Sequence, residues 1–438
     1  MTVMSSRKAL GGSGSTMGEP AAHLGIDVGT SGVRAVAIDG GGTVLAQATA
    51  PLPAPLAVEG GQDPELWWLA VVRVTAEVTA TLPGYRARSI AVDGTSGTLL
   101  VTDADGAPLE AAGMYNDASA ASLAPQIKAA APPASGAHGA TSPLARLLVL
   151  QERYPEARHA LHQADWIAAR LTGRLGMSDE NNALKLGYDP VSRSWPAWLD
   201  GLRVRRELLP EVVAPGTALG PVEPRHAAAL GLAQGCRVVA GTTDGCASFL
   251  ATGADLPGDG VTALGTTLTL KLLSAAPVFS PEHGVYSHRL GERWLVGGAS
   301  NSGGRALLRY FTAERMAQLT PRLDPSRPTG LHWHPLPEPG ERFPVADPAL
   351  RFDPEPLPAE EAVLLQGLLE GIAEVEEQAY RLLAELGGPA LRSVRTMGGG
   401  ATNPAWTAIR ARLLGVPLLP PAHLDAAYGT ALLARGGA

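Results

Sequence analysis

The stretch HLGIDVGTSGVRAVAID, residues 23–39, decides the fold class of this chain. Two apolar segments flank a short turn, Gly29-Thr30-Ser31-Gly32, which predicts a β-hairpin that the following segment TVLAQATA extends into a meander. Asp27 stands at the end of the first strand. A carboxylate there can hold a hydrated divalent cation, while the small turn residues let backbone N–H groups and hydroxyls approach a phosphate. Taken alone, the turn is equally compatible with an ordinary hairpin.

The same arrangement returns in the second half of the chain. A strand, a Gly265-Thr266-Thr267 turn and further strands follow one another there, and the two halves match when Gly29 and Gly265 are equated. Two similarly built domains, each with a Gly-Thr turn, predict a ligand held in a cleft between them and favour phosphate binding over two plain hairpins. We expect a disordered tail over 1–22, an N-terminal domain over 23–245 and a C-terminal domain over 246–438.

Composition limits the function classes. The chain has 438 residues, 45% of them hydrophobic and 18% charged, with a formal net charge of −7, which is typical of a folded soluble protein and excludes a basic nucleic-acid binder. No apolar run is long enough for a membrane helix, and the N-terminal stretch lacks the apolar region of a secretion signal. With only two cysteines, Cys236 and Cys246, a disulfide framework is excluded, so we expect a cytoplasmic protein.

Lysine is scarce in this sequence. Its four lysines are Lys8, Lys128, Lys185 and Lys271, and none of them follows a glycine. This excludes the Gly-Lys-Ser/Thr loop with which many nucleotide-binding proteins contact phosphate, so any nucleotide must be bound by another route. For Lys185 the sequence suggests no mechanism, and a solvated surface position is expected.

Several helices can also be placed. Asp63 and Pro64 favour the start of a helix that continues to Leu82. Shorter helical patterns cover residues 143–151 and 163–171, and a long amphipathic pattern begins near Leu365 and ends at Gly387. The intervening segment 320–358, rich in proline and charge, is predicted to be an insertion or a long surface loop.

Asp244 ends the apolar strand RVVAGTTD and is the candidate for a catalytic base. A carboxylate left unpaired in a dry cleft is costly, so packing alone does not favour it there. It could accept the proton of a sugar hydroxyl that attacks the γ-phosphorus of a nucleotide. The alternative is that Asp244 caps the next helix.

The segment GGGATNPAW, residues 398–406, is the candidate for a flat ligand. Glycines permit close backbone approach, and Asn403 with Pro404 favours the start of a helix. Trp406, one turn further on, could pack its indole on a purine, although an ordinary buried aromatic explains it equally well.

In their order along the chain, these motifs resemble the FGGY family of carbohydrate kinases, of the actin, hexokinase and heat-shock-chaperone ATPase superfamily. The resemblance runs from about residue 23 to the C-terminus and is carried by DVGTSGVR, VDGTSGTLLVTDADGAPL, PLARLLVLQERYPE, ADWIAARLTGRLGMSDENNALKLGYDP, AGTTDGCASFLATGA, ALGTT and GGGATNPAWTAIRARLLGVP. It implies an α/β fold of two ribonuclease-H-like domains around an interdomain cleft. ATP and Mg²⁺ are the implied cofactors, with a small sugar as partner, no nucleic acid or membrane, and a monomer or homodimer.

The resemblance also assigns roles to residues. Asp244 becomes the catalytic base, and Asp27 lies near the metal and the sugar. The remaining positions are phosphate contacts at Gly29, Thr30, Ser31, Gly265, Thr266 and Thr267, adenosine contacts at Gly399, Gly400, Asn403 and Trp406, and substrate contacts at Thr95, Ser96 and Asp117.

Two departures from the family pattern bear on the substrate. Arg146 and Val149 stand where many members carry Lys and Trp, and Thr95-Ser96-Gly97-Thr98 replaces the Met-His pair of xylulose-type kinases. The motifs GTSGTLL, MYND and NNALKLGYDP resemble the small plant and cyanobacterial kinases that act on D-ribulose. The sequence therefore predicts an ATP-dependent D-ribulose kinase; the alternatives are D-xylulose or another polyol as substrate, or a sugar-binding or chaperone-like protein that does not transfer phosphate.

Overall fold

The structure, a computed structural model, describes residues 19–54, 61–82 and 84–437. Residues 1–18 of the predicted tail lie outside this range, and the first strand begins at Ala21, two residues before the predicted domain start. The strands are β1(Ala21–Val28), β2(Gly32–Ile38), β3(Val44–Pro51), β4(Gly61–Gln62), β5(Arg86–Gly94), β6(Leu99–Thr102), β7(Ala112–Gly113), β8(His159–His162), β9(Met177–Asp179), β10(Glu211–Val213), β11(Ala218–Pro221), β12(Arg237–Val239), β13(Asp259–Leu264), β14(Leu268–Ser274), β15(Tyr286–Leu290), β16(Arg293–Ser300), β17(Ser393–Met397) and β18(Leu418–Leu419). The helices are α1(Pro64–Ala80), α2(Ala124–Ala130), α3(Pro143–Arg153), α4(Gln163–Thr172), α5(Glu180–Ala183), α6(Trp198–Gly201), α7(Pro224–Ala229), α8(Asp244–Ala251), α9(Gly304–Leu307), α10(Ala313–Leu319), α11(Glu361–Glu385), α12(Pro404–Leu414) and α13(Ala426–Gly436).

Two six-stranded sheets of mixed direction organise the chain. The first has the order β11-β12-β5-β1-β2-β3 and the second the order β15-β16-β14-β13-β17-β18. In both, an antiparallel hairpin, β1-β2 or β13-β14, has a parallel strand on its other side, β5 or β17. The turns within these hairpins are the two Gly-Thr turns, so the internal repeat expected from the sequence is confirmed.

Local signals placed the helices well. Asp63 caps α1, its carboxylate accepting a hydrogen bond from the Glu65 N–H, and Asn403 caps α12 in the same way. The α1 helix packs Trp67 on the first sheet, at 6.3 Å from the ring of Trp166 on α4. The 25-residue helix α11 packs on the second sheet and contributes side chains to the hydrophobic core of the second domain. Of the helices in the described ranges, none is both long and apolar enough to cross a membrane.

Most of the segment 320–358 lies at the surface, as its composition predicted, but it is anchored to the second domain by a few buried side chains. It contains little regular structure after Arg322, yet Leu336, Phe343 and Phe352 are buried in the second core. The carboxylate of Glu341 is also buried and accepts hydrogen bonds from the Ser300 hydroxyl and the Asn301 N–H. Apolar side chains spaced along a proline-rich segment anchor it, which a reading of composition alone does not detect.

The last helix, α13, returns to the first domain. It packs against β1 and α8, where Gly25 and Gly429 allow backbones to meet: a Cβ at Gly25 would stand 2.0 Å from the Ala427 carbonyl oxygen. The predicted boundary at 245/246 falls inside α8, whereas the sheets themselves divide between Val239 and Asp259. The helix at the C-terminal end of the described chain therefore packs on the sheet of the first domain.

The contact of α13 with α8 can be tested at one glycine. A Cβ at Gly429 would lie 1.9 Å from the Ala247 carbonyl oxygen, so Gly429→Ala must push two backbones apart. We expect this variant to lose about 1–3 kcal/mol of stability, measured by thermal or urea unfolding. Gly436→Ala, in the same helix with nothing within 4 Å of the added carbon, is the matched control and should be neutral or slightly stabilising. Equal stability of the two variants would contradict this account of the packing.

Candidate active site

Three aspartates meet where adjacent parallel strands of the first sheet end. The pairing of β1 with β5 places Asp27 opposite Asp93, and a parallel bridge joins Gly94 to Thr243. Asp244 follows directly and begins α8. Because the carboxyl ends of parallel strands lie at one edge of a sheet, the three carboxylates belong to one site.

Asp27 and Asp93 form a buried acidic pair. One oxygen of Asp27 accepts a hydrogen bond from Arg34, 3.0 Å away, and one oxygen of Asp93 accepts from the Thr430 hydroxyl of α13. The other oxygen of Asp93 has no partner among the described residues. Burial raises the pKa of both carboxyl groups, and the charge of Asp27 adds to the increase for Asp93. Without a cation, the pair therefore tends to hold a proton.

Asp244 is the first residue of α8 and not its cap; the cap position is occupied by Thr243. The carboxylate accepts a hydrogen bond from the N–H of Gly245 at 2.6 Å. Burial raises the pKa of Asp244 to about 6, with a further increase from the charge of Asp27, while the Gly245 hydrogen bond and the charge of Lys271 oppose the rise. Asp244 is thus mostly ionised at neutral pH and able to accept a proton.

Both Gly-Thr turns expose small residues to solvent. The first turn closes through the Gly29 N–H, which donates to the Gly32 carbonyl at 3.0 Å, and Ser31 is exposed. In the second turn Gly265 and Thr266 are exposed, and the backbone of 304–305 donates to their two carbonyls at 2.9 and 3.1 Å. Backbone hydrogen bonds therefore fix each turn, while its hydroxyl groups remain accessible to a phosphate.

A cavity of about 680 Å³ opens beside the second turn. Its lining includes six of the residues predicted for nucleotide binding, namely Gly265, Thr266, Gly399, Gly400, Asn403 and Trp406. Most of the remaining lining is apolar and comes from the 304–320 region, where the sequence analysis singled out no residue; Leu307, Leu308 and Met316 are examples. The size and apolar walls suit a flat heterocycle.

Trp406 is both a buried core aromatic and a residue of the cavity wall, the two alternatives that the sequence left open. It is only 3% exposed and packs in the second core, yet its ring edge lies at the cavity wall beside Gly400. Its indole N–H has no partner among the described residues. The side chain of Asn403 is used as the helix cap, since it accepts a hydrogen bond from the Trp406 N–H at 3.0 Å.

The two predicted sugar contacts after β5 differ in availability. The Thr95 hydroxyl is hydrogen-bonded to Thr98 and, at 3.0 Å, to Gln163 at the start of α4. The Ser96 hydroxyl has no partner among the described residues, and the backbone N–H of Ser96 bonds to the Asp244 carboxylate. Ser96 is therefore the better placed of the two to bind a ligand hydroxyl, and Thr95 holds the loop.

Asp117 lies in a neighbouring cavity of about 430 Å³ together with Arg146. The buried guanidinium of Arg146 donates to the backbone carbonyls of Met114 and Asp117, both at 2.8 Å, and to that of Gly97. It therefore ties the Asp117 loop to the loop that carries Ser96. Arg146, which stands where many family members carry Lys, thus links two candidate sugar-binding loops through backbone hydrogen bonds.

The donor set at Asp27 and Asp93 fits a magnesium ion. Among the described residues, no group of three or more His, Cys, Asp and Glu side chains could hold a metal by itself. Mg²⁺ usually takes one or two carboxylates and completes its shell with water and substrate phosphates, and the unpartnered oxygen of Asp93 is such a ligand.

Three residues of this site were missed by the sequence analysis. Asp93 lies inside the quoted VDGTSG motif, but its position opposite Asp27 depends on strand register. Thr430 is 337 residues away from Asp93 along the chain. Lys271 belongs to none of the motifs, and lysine is simply rare in this chain. A separate expectation is wrong: Lys185 is half-buried against Tyr286 and does not lie on the solvated surface.

This arrangement defines a class of protein: a two-domain nucleotide-dependent phosphotransferase of the actin and hexokinase type. Comparison with known proteins agrees. Residues 22–251 match the N-terminal domain of the FGGY family of carbohydrate kinases, and residues 260–436 match its C-terminal domain. The chain therefore belongs to the FGGY family and is an ATP-dependent sugar kinase, and the predicted fold class is confirmed.

Individual relatives support the same assignment. The xylulose kinase of Escherichia coli K12 is 29% identical over 62% of this chain, a match that spans only 59% of that relative. The xylulose kinase of Streptomyces coelicolor is 27% identical over 94% of this chain and 87% of its own length, and the erythritol kinase of Brucella abortus is 26% identical over 94% and 86%. A crystal structure of a xyloylose kinase from Brucella ovis superposes with a TM-score of 0.85 at 25% identity, covering 95% of this chain and 90% of that one.

The acidic pair can be tested without turnover. Asp93→Asn keeps an acceptor for Thr430 and removes a buried charge. We therefore expect a higher melting temperature at neutral pH without divalent cations, which corresponds to a gain in the free energy of unfolding on the order of 1 kcal/mol. A carboxyl group whose pKa is raised on folding weakens the protein above its unfolded pKa. The gain should therefore shrink as the pH falls toward about 4, the ordinary aspartate value.

The control is Asp39→Asn. Asp39 is half-buried, and backbone hydrogen bonds from its own turn lower its pKa, so this change should bring no gain in melting temperature. A loss of stability in Asp93→Asn at neutral pH would contradict the idea that the acidic pair is strained without a cation.

Proposed function

We propose that this chain is a cytoplasmic, Mg²⁺-dependent kinase that transfers the γ-phosphate of ATP to the terminal primary hydroxyl of D-ribulose, forming D-ribulose 5-phosphate. The observation that carries the proposal is the position of Asp244. Asp244 begins a helix at a strand end and lies beside the Asp27–Asp93 pair and the Ser96 backbone, where burial raises its pKa to about 6. This is the geometry required of a base that serves a sugar hydroxyl.

The reaction follows from these positions. The sugar hydroxyl oxygen bonds to the γ-phosphorus as the bond from that phosphorus to the β–γ bridging oxygen breaks, and ADP leaves. Asp244 takes the hydroxyl proton, and a base stronger than this carboxylate is not required because phosphoryl transfer has a loose transition state. Asp27 and Asp93 would hold Mg²⁺, which supplies charge neutralisation at the phosphates.

Roles for the remaining predicted residues complete the proposal. The turns at 29–31 and 265–267 hold the phosphates, and the 680 Å³ cavity with Gly399, Gly400 and Trp406 accepts the adenosine. Closure of the domains would exclude the water that otherwise hydrolyses ATP. Ser96 and Asp117, tied together by Arg146, contact the sugar.

The preference for D-ribulose rests on the loop after β5. Xylulose-type kinases carry a Met-His pair where this chain has Thr95-Ser96-Gly97-Thr98, and the Ser96 hydroxyl has no partner in the described part of the chain. A small hydroxyl-lined loop leaves room for hydrogen bonds that differ from those of a Met-His pair, and such buried partners decide between epimers. D-Xylulose is the second candidate, because relatives that align over most of the chain are named xylulose kinases. Another polyol is the third, since one relative is named an erythritol kinase.

A substrate panel tests the proposal. ADP release is measured with D-ribulose, D-xylulose, erythritol, glycerol and a ketohexose, each against a sample without sugar. We expect the largest kcat/KM for D-ribulose. A larger kcat/KM for D-xylulose or erythritol would change the substrate assignment but leave the kinase assignment intact. The absence of sugar-dependent ADP release with every compound would indicate a sugar-binding protein that does not transfer phosphate.

Replacing the base gives a second prediction. Asp244→Asn should lower kcat by roughly 10²-fold or more, because the hydroxyl proton then has no acceptor, while the affinity for ATP measured by calorimetry stays nearly unchanged. Asp255→Asn is the matched control, since Asp255 is an exposed acid just after the same helix and should retain full turnover. Retention of most of the turnover by a folded Asp244→Asn variant would remove Asp244 from the base role.

A further inference from the structure

Two lysines of this lysine-poor chain line one cavity. The cavity has a volume of about 260 Å³, and Lys185 of the first domain and Lys271 of the second both border it. The third lysine in the described ranges, Lys128, is exposed on α2. Since arginine supplies nearly all other basic side chains, lysine at these two positions points to a need for a compact ammonium group.

Lys271 comes close to the proposed transfer point. It lies on β14, four residues after Thr267, and its side chain is directed toward the start of α8. Its Nζ is 3.6 Å from the point where a Cβ on Gly245 would stand, so the ammonium lies in van der Waals range of the residue next to Asp244. The charge of Lys271 opposes the rise in the pKa of Asp244.

Lys185 approaches the same cavity from the other domain. It sits in the short 3-10 turn Leu184–Leu186, and its Nζ stands 4.1 Å from the centroid of the Tyr286 ring. The position is fixed by Asn181, whose amide accepts from the backbone N–H of Arg289 and donates to the backbone carbonyl of Arg289, both at 2.9 Å. The two ammonium groups are therefore held by separate elements on one cavity.

The cavity contains no compensating acid. None of its lining residues in the described part of the chain is an aspartate or glutamate. The acid nearest to Lys185 in sequence, Glu180, is already paired with Arg193 at 2.9 Å. His288 is buried on β15, and burial together with the two lysine charges holds its pKa well below the ordinary value, so it is neutral. Arg342 also lines the cavity, so three cationic side chains border it without an acid among the described lining residues, which favours an anion.

We propose that this cavity binds the phosphate group of the phosphorylated sugar, with Lys185 and Lys271 as its ligands. The inference rests on the proposed function, because Lys271 connects this cavity to the start of α8, where the sugar hydroxyl would acquire its phosphate beside Asp244. At about 260 Å³ the cavity is too small for a nucleotide and accommodates a single tetrahedral oxyanion. Lys271 would then stabilise charge that the sugar carries only after transfer, and would retain the product.

Binding of the product can be measured without catalysis. The full chain, free of nucleotide, is titrated by calorimetry with D-ribulose 5-phosphate, inorganic phosphate and gluconate. We expect the wild-type chain to bind the sugar phosphate, and Lys271→Met and Lys185→Met each to weaken it by about tenfold or more, since a charge-assisted contact is lost while the apolar stem is kept. Lys271→Arg should restore part of the affinity, and Lys128→Met should match the wild type.

Each result decides between the assignments. Unchanged affinity in both methionine variants, or no binding of the sugar phosphate by the wild type, would overturn the proposal. Tighter binding of gluconate would make the cavity a carboxylate site, and tighter binding of inorganic phosphate would make it an effector site, and both results exclude a product site. Lysine-dependent binding of the sugar phosphate in a chain that fails the substrate panel would disprove the proposed function and leave the phosphate site standing.

Discussion

The meeting of three carboxylates at one sheet edge is the constraint on which the rest of this structure depends. Register between β1 and β5 sets Asp27 against Asp93, and the end of β12 leads to Asp244 beside them. Burial raises the pKa of both Asp27 and Asp93, the charge of Asp27 raises that of Asp93 further, and such a buried pair destabilises the fold unless opposite charge is near. Arg34 supplies some positive charge and the Thr430 hydroxyl on α13 adds a hydrogen bond, and a cation bound with the nucleotide phosphates would supply the remaining charge.

The second sheet repeats this topology with different chemistry. When Gly29 is equated with Gly265, Ala263 takes the place of Asp27, and its parallel partner Met397 takes the place of Asp93. The repeated hairpin turn thus adjoins acids in one domain and an apolar cavity in the other. This asymmetry separates the charged end of a nucleotide from its base, and it explains how one supersecondary unit serves both functions.

Arginine and lysine side chains near the cleft also have different roles. Arginines are committed to structure: Arg146 joins two loops through backbone carbonyls, and Arg34 pairs with a carboxylate. Lys185 and Lys271, together with Arg342, line a cavity with no aspartate or glutamate among its described lining residues. The lysine shortage excluded one kind of phosphate loop, and the few lysines that remain stand where a compact charge can meet an oxyanion.

Sequence by itself determined the features that depend on local periodicity and turn chemistry: the two hairpins, the caps Asp63 and Asn403, and the strand-end acids Asp27 and Asp244. Tertiary structure alone decided what depends on register and burial. Asp93 gains its place only through strand pairing, Thr430 reaches it from a helix at the other end of the chain, and the segment 320–358 is packed by side chains that its composition does not reveal. Local patterns cannot encode these contacts, because each joins elements far apart in the chain through packing that forms only in the folded protein.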